Sequence, residues 1–368
     1  MAKNSGFYTA KQGLDFKSKE RCFPTGLKLL DLAFGKFDPI TKLPGLPQAT
    51  VVEAFGPNAS LKSALWENLA ANIHKADKKY RVLALLAEEP QFTRFKDAGM
   101  DIDRTDCWTY YNPNDPSSIS SSEEGLNLAI ESISDPENNY ALVVIDSLKA
   151  LTTGDQAFSK KGEFKDLAEI DPIAARAKLI NKFFSRFAVC NKSRAILFCT
   201  NQKTDRIGAN YLTGWNFKTE TSGGREKEHW AEVRIACNST LPDVTDKVEK
   251  GLYENKIYDV ISPVYYLEKN KLGYPFRKVK ADFCLKEKRF KNEVNCLSAA
   301  EYLGIIQRNG NSNWNIKGVN QKGREAAEDY LRDNPKIQDE IWKEIYPRHV
   351  ELFGTAKAKS SKEDIEKK

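Results

Sequence analysis

With 368 residues, 40% of them hydrophobic, the chain is long enough for one substantial buried core and a smaller second one, so two domains are the starting expectation. Its 57 basic and 51 acidic side chains leave a net charge of +6, a mild leaning toward polyanions that by itself describes only a well-solvated surface. Seven cysteines without CxxC spacing point to free thiols in a reducing cytosol, three scattered histidines offer no zinc cluster, and no leader or apolar run of the ~18 residues that cross a bilayer is present, so a soluble cytoplasmic protein with no membrane partner is expected.

Residues 1–25 are polar with isolated apolar side chains and read as an arm ahead of a compact unit that starts at Pro24-Thr25-Gly26. Short aliphatic runs then alternate with amphipathic stretches. ATVVEAF (49–55), RVLALLAE (81–88), YALVVID (140–146), RAILFCTNQ (194–202) and EVRIACN (232–238) predict buried strands, and 61–75, 122–134 and 172–191 predict helices. This rhythm predicts an α/β fold, a mostly parallel sheet covered by helices on both faces and joined by right-handed crossovers. Two long polar segments, 152–171 and 203–224, interrupt it, and loops of that length inside a compact domain are functional or mobile. A smaller helix-rich unit follows from about 297, and 356–368 is a charged tail expected to be disordered.

ATVVEAF runs into Gly56-Pro57-Asn58-Ala59-Ser60-Leu61-Lys62-Ser63 and then into a helix, the context in which a phosphate-binding loop has mechanical meaning. Backbone N–H groups and the positive helix end would hold phosphates, Lys62 would reach the outer ones, and the Ser63 hydroxyl would ligate Mg²⁺. Leu61 stands where such loops carry glycine. Either it takes positive φ, at roughly 1–2 kcal/mol, or the loop keeps it at negative φ. YALVVID ends in Asp146, placing a carboxylate beside the Mg²⁺ shell. RVLALLAE ends in Glu88 with Glu89 beside it, either of which could orient and deprotonate an attacking water.

With these strands in hand the chain resembles the RecA family of recombinases, from about residue 7 to about 353. Phe23-Pro24-Thr25-Gly26, Leu30-Asp31 and Phe34-Gly35 resemble the family's opening turn, and phage members of the UvsX type also carry a bulky residue where Leu61 stands. The resemblance implies an ATPase core at 26–296, an oligomerisation arm at 1–25 and a small α+β C-terminal domain at 297–355. It favours Glu88 as the catalytic carboxylate, places Arg94 or Phe95 over the adenine, and makes Gln202 of Asn201-Gln202 the sensor of the γ-phosphate. Glu268-Lys269-Asn270-Lys271 is similar to a segment whose two lysines reach the neighbouring subunit's ATP, so Lys269 and Lys271 are the candidate cations in trans. Gly6-Phe7-Tyr8-Thr9-Ala10 matches an FxxA assembly motif, in which Phe7 fills a pocket on the next protomer and Ala10 fits a shallow one.

The family's second DNA loop falls on 203–224. This segment combines Lys203, Arg206 and Lys218 with Tyr211, Trp215 and Phe217 and closes on Gly223-Gly224, cations for phosphate and rings for bases, as in grips on single strands. The first loop, 155–171, is flanked by Arg176. Val264-Tyr265-Tyr266 departs from the family, which places basic residues there. The implied function is an ATP- and Mg²⁺-dependent recombinase forming a homo-oligomeric helical filament on single-stranded DNA and exchanging strands with double-stranded DNA, with single-strand-binding and loader proteins as further partners, in a bacterial or phage-infected cytoplasm. Its rivals are a RecA-fold accessory protein that exchanges no strands and a hexameric helicase.

Overall fold

The computed structural model describes residues 9–87, 92–109, 121–153, 172–205, 219–221, 226–240, 260–310 and 312–353. The first described element is a helix, α1 (Ala10–Ser18), closed at its start by a capping box between Thr9 and Gln12. It buries none of its residues, leaving Leu14 and Phe16 exposed. β1 (Cys22–Phe23), α2 (Lys28–Phe34) and β2 (Leu46–Pro47) follow, with β1 paired antiparallel to β2. Then come β3 (Val51–Phe55), α3 (Lys62–Ala76), β4 (Arg81–Leu86), α4 (Phe92–Asp97), β5 (Thr105–Thr109), α5 (Ser122–Ser134), β6 (Tyr140–Asp146), α6 (Pro172–Cys190) and β7 (Ile196–Asn201). A short pair, β8 (Lys203–Asp205) and β9 (Thr219–Thr221), is followed by α7 (Glu226–Trp230), β10 (Val233–Thr240), β11 (Val260–Asn270), β12 (Lys278–Lys280), β13 (Phe283–Cys284) and β14 (Arg289–Phe290). The last elements are α8 (Asn292–Tyr302), β15 (Gln307–Asn309), β16 (Asn313–Ile316), β17 (Val319–Lys322), α9 (Arg324–Asp333) and α10 (Pro335–Phe353).

The central sheet runs β14-β13-β11-β10-β3-β7-β6-β4-β5, with β12 on β11. From β10 to β5 every pairing is parallel, and from β10 outward through β14 every pairing is antiparallel. The expected mostly parallel α/β sheet is therefore the observed one. Its long apolar runs follow from burial on both faces. Val82, Ala84 and Leu142 join the layer containing Leu65, Trp66 and Leu69 of α3, while Leu83, Leu85 and Val143 join the layer containing Ile130 of α5 and Phe183 of α6. A third apolar cluster gathers Cys296, Leu297, Trp314, Ile316, Leu331 and Trp342 with Leu32 of α2. It includes the β15-β16-β17 meander, strands the residue pattern alone did not suggest. Among the described residues no helix is long and apolar enough to cross a membrane.

The opening turn is held by Asp31, 1% exposed, whose Oδ1 accepts hydrogen bonds from the Thr25 N–H at 2.8 Å and the Thr25 hydroxyl at 2.7 Å. Burial pushes its pKa up to about 7. The folded protein therefore binds a proton here that the unfolded chain releases near pH 4, so Asp31 costs stability increasingly as pH rises toward 7. His74 and His349 oppose this, since burial pushes both below the ordinary histidine range, His349 to about 4. The comparison that isolates Asp31 is between the wild type and Asp31→Asn. The stability advantage of the Asn variant should grow by up to ~1.4 kcal/mol per pH unit between pH 5 and 7 and level off above. Denaturant unfolding of both proteins across pH 5–8 checks this, and a pH-independent difference contradicts it.

Candidate functional site

β3 delivers the chain into the loop at Gly56, where a Cβ would lie 2.0 Å from the Cys237 carbonyl oxygen of the adjacent β10, so only glycine fits. The loop then turns through two non-glycine residues at positive φ, Ala59 (56°) and Leu61 (58°), and α3 begins at Lys62. Of the two possibilities open for Leu61, the left-handed one is observed. Its side chain packs against the apolar layer under α3, which offsets the roughly 1–2 kcal/mol of backbone strain. Leu61→Gly should keep the affinity of this loop for a phosphate-bearing ligand within about 3-fold of wild type, since glycine takes the same backbone geometry without strain. A loss beyond about 10-fold would show that the leucine side chain itself serves the site.

A cavity of about 300 Å³ lies at the carboxyl ends of the parallel strands, lined by Asn58, Ala59, Ser60, Leu61, Lys62 and Ser63 together with Arg94, Asp146, Ser147, Thr200 and Gln202. The Lys62 ammonium donates to the Pro57 carbonyl at 2.6 Å, the Gly56 carbonyl at 3.2 Å and the Ser60 hydroxyl at 3.2 Å. Asp146 collects three donors: the Ser63 hydroxyl at 2.7 Å, the Trp66 indole N–H at 2.8 Å and the Thr200 hydroxyl. A hydroxyl and a carboxylate oxygen thus converge as a hard cation requires. Among the described residues no group of three or more His, Cys, Asp or Glu could cage a metal, and Mg²⁺ needs none, since it takes one or two protein oxygens and completes its shell with phosphate and water. Ser63 and Asp146 would hold it, and it would neutralise charge developing on the phosphates.

Arg94 and Phe95, the two candidates to cover an adenine, face different ways. Phe95 is 4% exposed and packs edge-on against Trp66, so its ring lies in the core. Arg94 lines the cavity and is held there by Glu67 at 2.9 Å, a carboxyl whose pKa burial pushes up against the pull of that arginine. Glu88 lies outside the described residues, as do Phe7, Arg206, Tyr211, Trp215, Phe217, Lys218, Gly223 and Gly224. Ala10 opens α1 and is exposed. Lys203 is exposed, its ammonium 5.6 Å from the centre of the Phe55 ring, and the Arg176 guanidinium donates to the Leu151 carbonyl at 2.9 Å, just before the first long polar segment.

Lys269 and Lys271 do not line this cavity. They sit at the β10–β11 end of the sheet, where the Lys269 ammonium donates to the Glu228 main-chain carbonyl and the Lys271 N–H to that of Glu232. Burial, Lys271 and Arg234 together push the Lys269 pKa below its ordinary value. Beneath them runs a network that the motif pattern missed. Glu53, 3% exposed in the middle of β3, accepts from Arg234 at 2.8 Å and from the Asn201 amide at 2.9 Å, and Arg234 also pairs with Glu228 and Glu268. A signal was present: an acid inside an aliphatic strand needs a buried partner.

The RecA N-terminal domain model matches residues 10–288. The chain belongs to the RecA family. Curated RecA proteins extend the likeness over most of the chain. That of Bacteroides thetaiotaomicron is 26% identical over 333 residues, 90% of this chain and 88% of its own length. Those of Streptomyces avermitilis and Porphyromonas gingivalis are each 26% identical over 88% of this chain, covering 75% and 83% of their own lengths. The protein is therefore a RecA-like recombinase in the broad sense, from a family of DNA-dependent ATPases that generally require Mg²⁺.

Proposed function

We propose that the protein hydrolyses ATP at a seam between identical subunits of a helical filament on single-stranded DNA, and that it pairs this strand with homologous duplex and exchanges strands. The convergence of Lys62, Ser63, Asp146, Thr200 and Gln202 on one cavity carries the reading. In it Lys62 grips the outer phosphates, Ser63 and Asp146 hold Mg²⁺, Glu88 prepares the water, Arg94 lies against the base, Gln202 senses the γ-phosphate, and Lys269 and Lys271 arrive from the neighbour. The segment framed by β8 and β9, with Lys203, Arg206, Tyr211, Trp215, Phe217, Lys218, Gly223 and Gly224, together with Arg176, holds DNA. Residues 1–25 serve as the assembly arm, 26–296 as the ATPase core, 297–355 as the small C-terminal domain and 356–368 as a tail. An apolar hollow of about 340 Å³ beside the outermost strand β5, lined by Phe92, Phe95, Ile102 and Cys107 among others, is a receiver of suitable size for Phe7 of the preceding subunit's arm.

The test is ATP turnover with and without single-stranded DNA, joined to a strand-exchange assay and electron microscopy. Stimulated turnover, open helices and exchanged strands are expected. A RecA-fold accessory that binds ATP and a recombinase without exchanging strands is the second reading. It is favoured by Tyr265, which is fully buried where basic residues would be expected to receive duplex. Stimulated turnover without strand exchange would select it.

A further inference from the structure

The end of β6 and the end of β7 are linked by a side chain that no motif points to. After Asp146 and Ser147 the chain makes a 3-10 turn, Leu148–Ala150, and from it the Lys149 ammonium donates to the Gln202 side-chain oxygen at 2.8 Å. Lys149 is partly buried and does not line the nucleotide cavity, whereas Gln202 does. An ammonium has only donors, so Gln202 must meet it with Oε1, and the other half of the amide, the NH₂ group, is left to donate. Turned the other way, the amide would oppose two donors at Lys149 and present oxygen lone pairs to phosphate oxygens. Gln202 is also fixed at its backbone, where its N–H donates to the Asn201 side chain at 3.0 Å, itself anchored on buried Glu53 at 2.9 Å. The next residues form β8, which pairs with β9, so the strand that leads into residues 206–218 starts directly after this amide.

We propose that Lys149 is a positioning residue for nucleotide sensing: it orients Gln202 so that the amide NH₂ faces the terminal phosphate, and so couples the nucleotide state to the segment between β8 and β9. The inference rests on the reading of the cavity as an ATP site with Gln202 as its sensor. It concerns a side chain two strands away from the P-loop lysine and separable from it.

The test uses the full chain carrying Lys149→Met, which keeps length and removes charge, and Lys149→Arg, which keeps the donor, each with Gln202 intact and in a Gln202→Ala background. Steady-state turnover with single-stranded DNA gives kcat and KM. DNA affinity with a non-hydrolysable ATP analogue and with ADP gives the coupling. Lys149→Met should lower kcat about 10-fold, the effect of one charged hydrogen bond. KM for ATP should stay within about 2-fold, since Lys62 and Ser63 still grip the phosphates. The ratio of DNA affinities in the two nucleotide states should fall toward one, Lys149→Arg should restore it, and Lys149→Met should add nothing in the Gln202→Ala background. Wild-type kinetics and coupling in Lys149→Met, no rescue by Lys149→Arg, or a full further loss in the Gln202→Ala background each overturn the positioning role alone. Absence of DNA-stimulated turnover in the unsubstituted protein overturns the ATP-site reading and this role with it.

Discussion

Lys62→Ala should lower kcat/KM for ATP by about 10²–10³-fold while leaving the fold intact, the scale expected when a donor aimed at developing charge is removed from a water-excluded site. The Lys62 ammonium donates within its own loop to the Gly56 and Pro57 carbonyls and the Ser60 hydroxyl. A phosphate oxygen is a charged acceptor, so its hydrogen bond to the ammonium strengthens as negative charge accumulates on the γ-phosphate. Folding does not depend on it. Lys62 is the first residue of α3 and only partly buried, and alanine is the best helix former. Lys62→Arg should not rescue turnover, because a planar fork does not replace a point charge seated within the loop. Steady-state turnover with single-stranded DNA, together with thermal unfolding of the free protein, separates the two effects. Retention of more than about a tenth of wild-type kcat/KM would remove Lys62 from the centre of the site.

The parts of the fold that could be read in advance were those where burial leaves one pattern available. YALVVID is apolar up to its closing Asp146 because β6 is covered on both faces, and such a run reads directly as a central strand of an α/β sheet. β5 could not be read the same way: TDCWT is an edge strand paired on one side only, and its composition carries little signal. The β15–β17 meander fails for the same reason, since Trp314 and Ile316 are the inward residues of strands whose others are polar apart from exposed Val319. Leu61 could not be decided by propensity, because a strain of roughly 1–2 kcal/mol is smaller than what the packing of one leucine against a core returns. Arg94 and Phe95 are adjacent on one helix, about 100° apart, so spacing alone cannot say which of them faces the cavity. Glu53 announced that it needed a partner, but its partners Asn201 and Arg234 are 148 and 181 residues away. Lys149 announced nothing, because a lysine after a strand end is ordinary until Gln202 is placed beside it.

If Lys269 and Lys271 serve the neighbouring subunit's nucleotide, two inactive variants should complement one another in a mixture. A Lys269→Ala/Lys271→Ala double variant and the Lys62→Ala variant should each be nearly inactive alone, the former by about 10³-fold if its cations act as an arginine finger does. In filaments assembled from equal amounts of the two, roughly a quarter of the wild-type turnover should return, because half of the subunits keep the P-loop lysine and half of their neighbours keep the trans pair. Lys269 lies on β11 and Lys271 follows it directly, away from the cavity lined by Lys62, and burial, then Lys271 and Arg234, push the Lys269 pKa below its ordinary value. A triphosphate presented by a neighbouring subunit is an anion that two ammonium groups attract. The measurement is ATP turnover on single-stranded DNA in mixtures shown by electron microscopy to co-assemble. If such filaments stay inactive, the two sets of residues do not complement one another across the seam, and Lys269 and Lys271 serve their own subunit instead.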